Sequence, residues 1–241
     1  MLTFLFYIYT FVICTVMLLL SALALLVTFP FDRQRKVVHE LSRLLVRMFY
    51  AVPPRWHQRV EGVENIDPSK AYVVVMNHQS MVDIPAFYHV PLQFRWVSKR
   101  SVFWFPFFGQ FLFLHGDIAI ERGRASDAMR KVITKGCKWL RRGVCVVIFP
   151  EGTRSKDGEI HRFKSGAFAL AKEAGTEILP IVMDGSKSML RNGIFFNWHN
   201  KLTIKILPPV TTEHIAGTDQ KTLAEEVRGR MAEALREIRN Q

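Results

Sequence analysis

From Met1 to Phe31 the chain carries no charged side chain, and Leu, Phe, Val, Ile and Ala dominate the run. That length exceeds the roughly 20 residues a helix needs to cross a bilayer. The stretch therefore reads as a membrane segment that spans, tilts, or enters and turns back near Pro30. A cleaved signal peptide would open on a basic region and end after about 7 to 15 apolar residues. Neither condition holds, so the segment is expected to be retained. Asp32, Arg33, Arg35 and Lys36 follow at once, and positive charge beside a membrane segment marks the cytoplasmic side. Beyond them Val37, Val38, Leu41, Leu44, Leu45, Met48, Phe49 and Val52 recur at helical spacing, with Arg33, Lys36, Arg43 and Arg47 free for other faces. This predicts a basic amphipathic helix stopped by Pro53-Pro54 and lying in the membrane interface. Residues 1–54 are thus expected to form a membrane-associated unit, and residues 55–241 a separate domain of size sufficient for its own core.

The formal charge of +12 favours anionic partners: nucleic acid, a membrane surface, an acidic carrier or a phosphorylated substrate. A nucleic-acid binder would interleave its basic residues with exposed stacking aromatics or show a known module, and neither is present. Cys14, Cys137 and Cys145 are odd in number and lack Cys-x-x-Cys spacing, which argues against a disulfide framework and a zinc site and for a reducing compartment. No metal and no cofactor are expected, because the histidines are scattered and none begins a His-Glu-x-x-His pattern.

From Trp56 onward short apolar runs alternate with helical patterns, the signature of an α/β domain with a mixed, largely parallel sheet flanked by helices. Expected strands are 71–76, 94–97, 116–120, 144–149, 178–183 and 202–207. Expected helices are 80–88, 125–141, 166–174 and 221–239. Between Phe94 and Phe113 the chain packs in Trp96, Phe103, Trp104, Phe105, Phe107, Phe108 and Phe111, with Pro106 and Gly109 interrupting any long helix. Such a density fits a core, an apolar slot for an acyl chain, or a patch dipping into a membrane interface.

The run Val73-Val74-Val75-Met76 reads as a buried strand, and it ends in Asn77-His78-Gln79-Ser80-Met81-Val82-Asp83. On a continuous helix His78 and Asp83 would lie about 140° apart. They meet only if the chain turns between them, with His78 on the loop and Asp83 in the first turn of a helix. A carboxylate so placed holds the imidazole in one tautomer and stabilises it once it takes a proton. No Gly-x-Ser-x-Gly elbow accompanies them, and Ser165 has no strand before it, so no covalent nucleophile is expected.

Three later runs follow in order: Gly116-Asp117-Ile118-Ala119-Ile120-Glu121-Arg122, Phe149-Pro150-Glu151-Gly152-Thr153-Arg154-Ser155, and Ile178-Leu179-Pro180-Ile181-Val182. With the His-Gln-Ser-Met-Val-Asp run, their order and spacing resemble the four blocks of the glycerolipid acyltransferase family, most closely its bacterial 1-acylglycerol-3-phosphate acyltransferases. The resemblance covers about residues 60 to 210, and its first and third blocks are the specific ones. Glu121 stands before Arg122 where the family often has Asp.

The resemblance implies a membrane-bound O-acyltransferase that moves an acyl chain from acyl carrier protein or acyl-CoA to the sn-2 hydroxyl of lysophosphatidate. It would sit on the inner membrane with its catalytic domain in the cytoplasm and an anionic membrane surface as partner. His78 then serves as general base and Asp83 supports it. Gly152, Thr153 and Arg154 offer N–H groups, a hydroxyl and a guanidinium to a phosphate. By resemblance Arg122 joins them, Glu151 belongs to the same site, and Lys99 lies near the donor carbonyl. Alternatives are the same fold acting on another lysophospholipid or an amino-acid lipid, and a lipid ester hydrolase.

Overall fold

The computed structural model describes residues 2–53, 55–121, 125–191 and 195–240. The chain runs α1 (Leu2–Thr28), α2 (Lys36–Ala51), β1 (Arg55–Glu61), β2 (Val73–Met76), α3 (Asp83–Ala86), β3 (Phe94–Lys99) and α4 (Phe108–His115). It continues β4 (Ile118–Ile120), α5 (Ala125–Leu140), β5 (Cys145–Ile148), α6 (Gly166–Ala174) and β6 (Ile178–Asp184). After the short β7 (Leu190–Arg191) and β8 (Phe195–Phe196) come β9 (His199–Ile206), α7 (Thr212–Gly217) and α8 (Gln220–Arg239).

Seven strands form one sheet in the order β1-β9-β6-β2-β5-β3-β4. Every neighbouring pair is parallel except β6 with β9. Strand β2 is the middle strand, paired to β5 through Val73↔Val146 and to β6 through Val73↔Ile178. Burial on both faces explains its unbroken apolar sequence. Val73 and Val75 join the core under α5, α6 and α8, while Val74 and Met76 join the core under α1 to α4. The period-2 alternation of side chains thus divides one strand between two cores. The chain passes from β2 to β3, returns to β5 between them, and places β6 on the far side of β2. That reversal of strand order opens a crevice at the carboxyl ends of the strands, where ligands bind in open α/β sheets.

Helix α1 has 27 residues, about 40 Å at 1.5 Å per residue, against a hydrocarbon core of about 30 Å. It turns back at Pro30 and packs along α2, with the Tyr9 hydroxyl donating to the Met48 carbonyl at 3.0 Å. Phe6 is 2% exposed and meets Phe49, Trp56, Phe196 and Trp198. Much of the remaining surface of α1 is bare apolar side chain, among it Leu19, Leu23 and Leu26.

Several elements depart from expectation. Helix α2 buries Val38, His39, Ser42, Val46 and Tyr50 and leaves Val37 and Leu44 exposed, so only part of its expected apolar face is bare. Strand β1 lacks an apolar run because it is an edge strand with β9 as its one partner, and polar residues suit an edge. The helix expected over 80–88 shrinks to α3 plus a 3-10 turn at Phe87–His89, since Asp83 draws the N–H groups of Gln79 and Ser80 to its side chain. Gly109 does not interrupt α4: an added Cβ would meet the Phe103 carbonyl oxygen at 2.1 Å, so the glycine permits a close crossing. Strand β4 begins at Ile118 because Gly116, at φ 82°, ends α4 in a left-handed turn. Helix α7 was not expected; the Thr211 hydroxyl caps it by accepting from the His214 N–H.

Candidate active site

The chain leaves β2 at Asn77, whose side chain continues the sheet after the backbone has turned away. Its amide donates to the Met183 carbonyl at 2.9 Å and its carbonyl accepts the Met183 N–H at 2.8 Å. The next residue, His78, is held by both of its backbone groups. Its N–H donates to Glu151 Oε1 at 3.3 Å, and its carbonyl accepts the Ser155 N–H at 2.7 Å.

His78 Nδ1 lies 2.7 Å from Asp83 Oδ2, and the same oxygen accepts the N–H groups of Gln79 at 2.7 Å and Ser80 at 2.9 Å. An ionised carboxylate only accepts, so Nδ1 carries the proton and Nε2 presents its lone pair. The Asp83 side chain is 1% exposed and that of His78 13%, so the carboxylate is sealed while the imidazole reaches the crevice. The imidazole also stacks on Phe149 at 3.9 Å between ring centroids, and Phe149 stacks on Trp96 at 5.3 Å. One face of the base is therefore apolar and fixed.

Glu151 is buried, and its second oxygen accepts the His161 N–H at 3.1 Å. Burial raises its carboxyl above the usual range, and the two N–H donors work against that rise. A group with only acceptors offers nothing to a phosphate, so Glu151 acts on the site by fixing His78 and the loop. Gly152 follows at φ 73°, and a Cβ there would meet Lys164 Nζ at 2.8 Å. A cation thus lies across the one residue of the loop that has no side chain. Thr153 and Arg154 are exposed, and the Arg154 guanidinium has no hydrogen bond or ion pair among the described residues. Lys99 is exposed at the end of β3, which β5 separates from β2. Arg122 lies outside the described residues.

Phe149, Asn77, Ser155 and Lys164 were not assigned roles from the sequence. The first three stand inside the recognised runs, so their presence was visible and only their contacts were not. Lys164 arrives from beyond an irregular loop, where no periodicity announces it.

A cavity of 260 Å³ opens between α1, α2, α3 and α4; His115 and Asp117 are in its lining and His78 is not. Ile84 and Pro85, which follow Asp83, line it together with Trp96, Phe105, Phe108 and Phe111. The aromatic stretch thus divides its labour: Phe94 and Trp96 are core, Phe105 and Phe111 line the cavity, and Trp104 is 80% exposed.

A second imidazole and carboxylate meet away from the crevice. His115 Nδ1 stands 3.8 Å from Asp117 Oδ2, with side chains 1% and 0% exposed. Burial holds the His115 ring well below its usual pKa, helped by the Arg95 charge, and pushes the Asp117 carboxyl up to about 7. His39, on α2, is lowered to about 3 for the same reason. The fully buried Arg95 donates to the carbonyls of Phe94 and Gln34 and lies over the Trp139 ring at 4.6 Å. Among the described residues no group of three or more His, Cys, Asp and Glu could hold a metal ion.

An α/β domain whose middle strand ends in a histidine and an aspartate five residues apart, with a Phe-Pro-Glu-Gly turn closing over the histidine backbone, defines a class of its own. The chain belongs to the acyltransferase family, whose model matches residues 57–184. It is 36% identical to 1-acyl-sn-glycerol-3-phosphate acyltransferase alpha of Mus musculus over 74% of this chain and 64% of that one. It is 31% identical to the 1-acyl-sn-glycerol-3-phosphate acyltransferase of Saccharomyces cerevisiae over 75% of this chain and 60% of the relative. The chain therefore spans a little under two thirds of the length of these relatives. In fold it is similar to the crystal structure of the 1-acyl-sn-glycerophosphate acyltransferase PlsC of Thermotoga maritima, with a TM-score of 0.77 at 24% identity, over 99% of this chain and 97% of that one.

Proposed function

We propose that the protein transfers an acyl group from a thioester, carried by acyl carrier protein or coenzyme A, to the sn-2 hydroxyl of lysophosphatidate. The observation that carries this reading is the partly exposed His78 imidazole, whose Nδ1 is held at 2.7 Å by an Asp83 oxygen that accepts three donors and leaves Nε2 for the substrate. The relatives named above, all 1-acyl-sn-glycerol-3-phosphate acyltransferases, support the choice of acceptor.

His78 Nε2 takes the hydroxyl proton as the oxygen bonds to the thioester carbon. The oxyanion collapses, the carbon–sulfur bond breaks, and the imidazolium returns its proton to the departing thiolate. Asp83 stabilises the imidazolium while it exists. For the acceptor phosphate, Arg154 supplies a guanidinium with no other partner among the described residues, Gly152 an approach unobstructed by a side chain, its N–H being held by the Phe149 carbonyl at 3.0 Å, Thr153 a hydroxyl and Lys164 a second cation. Arg122 joins this set by family resemblance. Lys99 is assigned to the donor carbonyl, and the aromatic-lined cavity to the donor's acyl chain. Residues 1–54 act as the membrane anchor, with the catalytic domain on the cytoplasmic face of the inner membrane and no cofactor.

The test is incubation of purified protein with a panel of lysophospholipids and both donor types, with products identified by mass spectrometry. Phosphatidate from lysophosphatidate is expected. Free fatty acid without acceptor, or acyl label retained on the protein after a burst of thiol, overturns direct transfer.

A further inference from the structure

The catalytic end of the sheet does not hold all of the uncommitted positive charge. A cleft of 730 Å³ at the turn joining α1 to α2 is lined by Arg33, Arg35, Lys135, Lys138 and Arg142. They come from three segments: the turn itself, the last two turns of α5, and the loop that follows α5. A cation in the last turn of a helix suits the helix dipole, which accounts for Lys138 alone. Arg33, Lys135 and Lys138 are exposed and have no hydrogen bond or ion pair from their side chains among the described residues. Two carboxyl groups, Asp32 and Asp117, share the cleft, but both are turned to the protein. Asp32 accepts the Val37 N–H at 2.9 Å, and Asp117 accepts the Trp96 N–H at 2.7 Å. The field in the cleft is therefore positive.

The cluster is built rather than scattered. Arg35 adopts φ 50°, which a residue with a side chain rarely does, and its guanidinium donates to the Phe113 and Leu114 carbonyls at 3.1 and 2.7 Å. That guanidinium lies over Gly116, where an added Cβ would come within 2.9 Å of it. Arg142 donates to the Arg33 carbonyl at 3.1 Å and lies over the Trp139 ring. Like charges have been gathered and held; Asp32 and Asp117 offset Arg35 in part, and none of the five basic residues forms an ion pair among the described residues.

Phe29, Phe103 and Phe113 also line the cleft. Phe29 and Phe113 are 67% and 73% exposed, and they lie where the apolar face of α1 ends. Cations and bare rings in one cleft match a molecule whose phosphate is attached to hydrocarbon. The cleft also lies at the wrong end of the sheet for catalysis. The Gln34 carbonyl in the turn accepts from Gln93 and Arg95 at the start of β3, whereas His78 follows the carboxyl end of β2.

The geometry points to a second phosphate site here, separate from the catalytic crevice, that takes the headgroup of an anionic membrane glycerophospholipid and seats the end of α1 at the level of the headgroups. This site stands apart from the acyl-transfer reading, because a lipid bound here does not reach His78. Each basic residue near a membrane surface is worth about fivefold in partitioning at moderate salt, so loss of three cations should weaken binding by about a hundredfold.

The test uses the full chain with Arg33→Gln, Lys135→Gln and Lys138→Gln combined, and the Lys135→Arg, Lys138→Arg pair as the charge-keeping control. Native mass spectrometry of the detergent-solubilised protein with phosphatidylglycerol should show one retained lipid in the wild type and the control, and none in the triple variant. Flotation with phosphatidylglycerol vesicles should fall in the triple variant, while binding to phosphatidylcholine vesicles, melting temperature and acyl transfer stay as in the wild type. Retention of phosphatidylglycerol by the triple variant overturns the site. Displacement of the lipid by millimolar inorganic phosphate overturns its assignment to lipid. Loss of binding to an acidic carrier protein, with lipid retention unchanged, overturns it in favour of a protein partner.

Discussion

Among the described residues four imidazoles face a carboxylate, and the two that are not exposed, His78 and His115, differ in almost everything but composition. His78 meets Asp83 at 2.7 Å at the lip of a crevice, on a carboxylate that collects three donors. His115 stands 3.8 Å from Asp117 inside the protein, where the carboxylate gains one backbone donor. In the first pair N–H groups replace water around the carboxylate. In the second, burial opposes charge on both members, which drives Asp117 up and His115 down until neither needs to ionise. The pairing of residue types does not make a catalytic dyad. Donors around the acid and an open second nitrogen on the base do.

The sharpest way to break this contrast is to remove each base. His78→Ala should lower kcat by about 10² to 10⁴, the usual worth of a general base, with little change in melting temperature. His115→Gln should keep most turnover, since His115 borders the apolar cavity and not the crevice, and melt earlier, because Ser42 and Tyr88 lose their buried partner. Equal loss of turnover in the two variants would end the distinction.

The acids give the next largest effect. Asp83→Asn should abolish most turnover, since an amide no longer enforces the tautomer or steadies the imidazolium. Asp117→Asn should show its effect in stability and with a definite sign. The folded protein holds a proton on Asp117 up to about pH 7, whereas the unfolded chain loses it near pH 4. Wild type therefore loses stability as pH rises from about 4 to 7, by up to about 1.4 kcal/mol per pH unit, and the asparagine variant is spared. His39 works the other way: its folded pKa of about 3 makes the protein gain stability as pH rises from 3 to 6.5. Urea unfolding of both proteins in detergent at pH 5 and pH 8 measures the difference, and curves that shift in parallel would refute it.

Smaller still is the contrast between the arginines. Arg154 is exposed and without a partner among the described residues, whereas Arg95 is buried and donates to carbonyls. Arg154→Lys should cost about ten- to a hundredfold in kcat/KM, carried mainly by the acceptor KM, because a point charge cannot copy a planar fork. Arg95→Lys should leave kinetics alone and lower the melting temperature. An Arg154 variant that weakens only the donor would move that residue to the thioester side of the site.

Much of the architecture was legible in the chain. The valine run had to be a doubly buried strand, and His78 and Asp83 could meet only across a turn. Both placements are found. Strand β1 was invisible because an edge strand needs no apolar run, and the helix over Phe108–His115 was hidden because Gly109 reads as a breaker when it is a contact point. Glu151 was grouped with the phosphate residues, and its two hydrogen bonds to backbone N–H groups could not be read from a linear motif.

By itself, the order of residues determined the apolar first helix, the period of the central strand and the identities in the crevice, because these depend on local pattern and on which side chains can carry a proton or a charge. The tertiary structure alone decided which histidine is usable. His78 and His115 are the same side chain with an acid nearby, and what separates them is how many N–H groups the folded backbone brings to that acid and how much water it leaves on the ring. Those quantities arise only when β2, β5 and the Glu151 loop have come together. They also decide where five basic residues, remote along the chain, become one positive cleft at the end of α1.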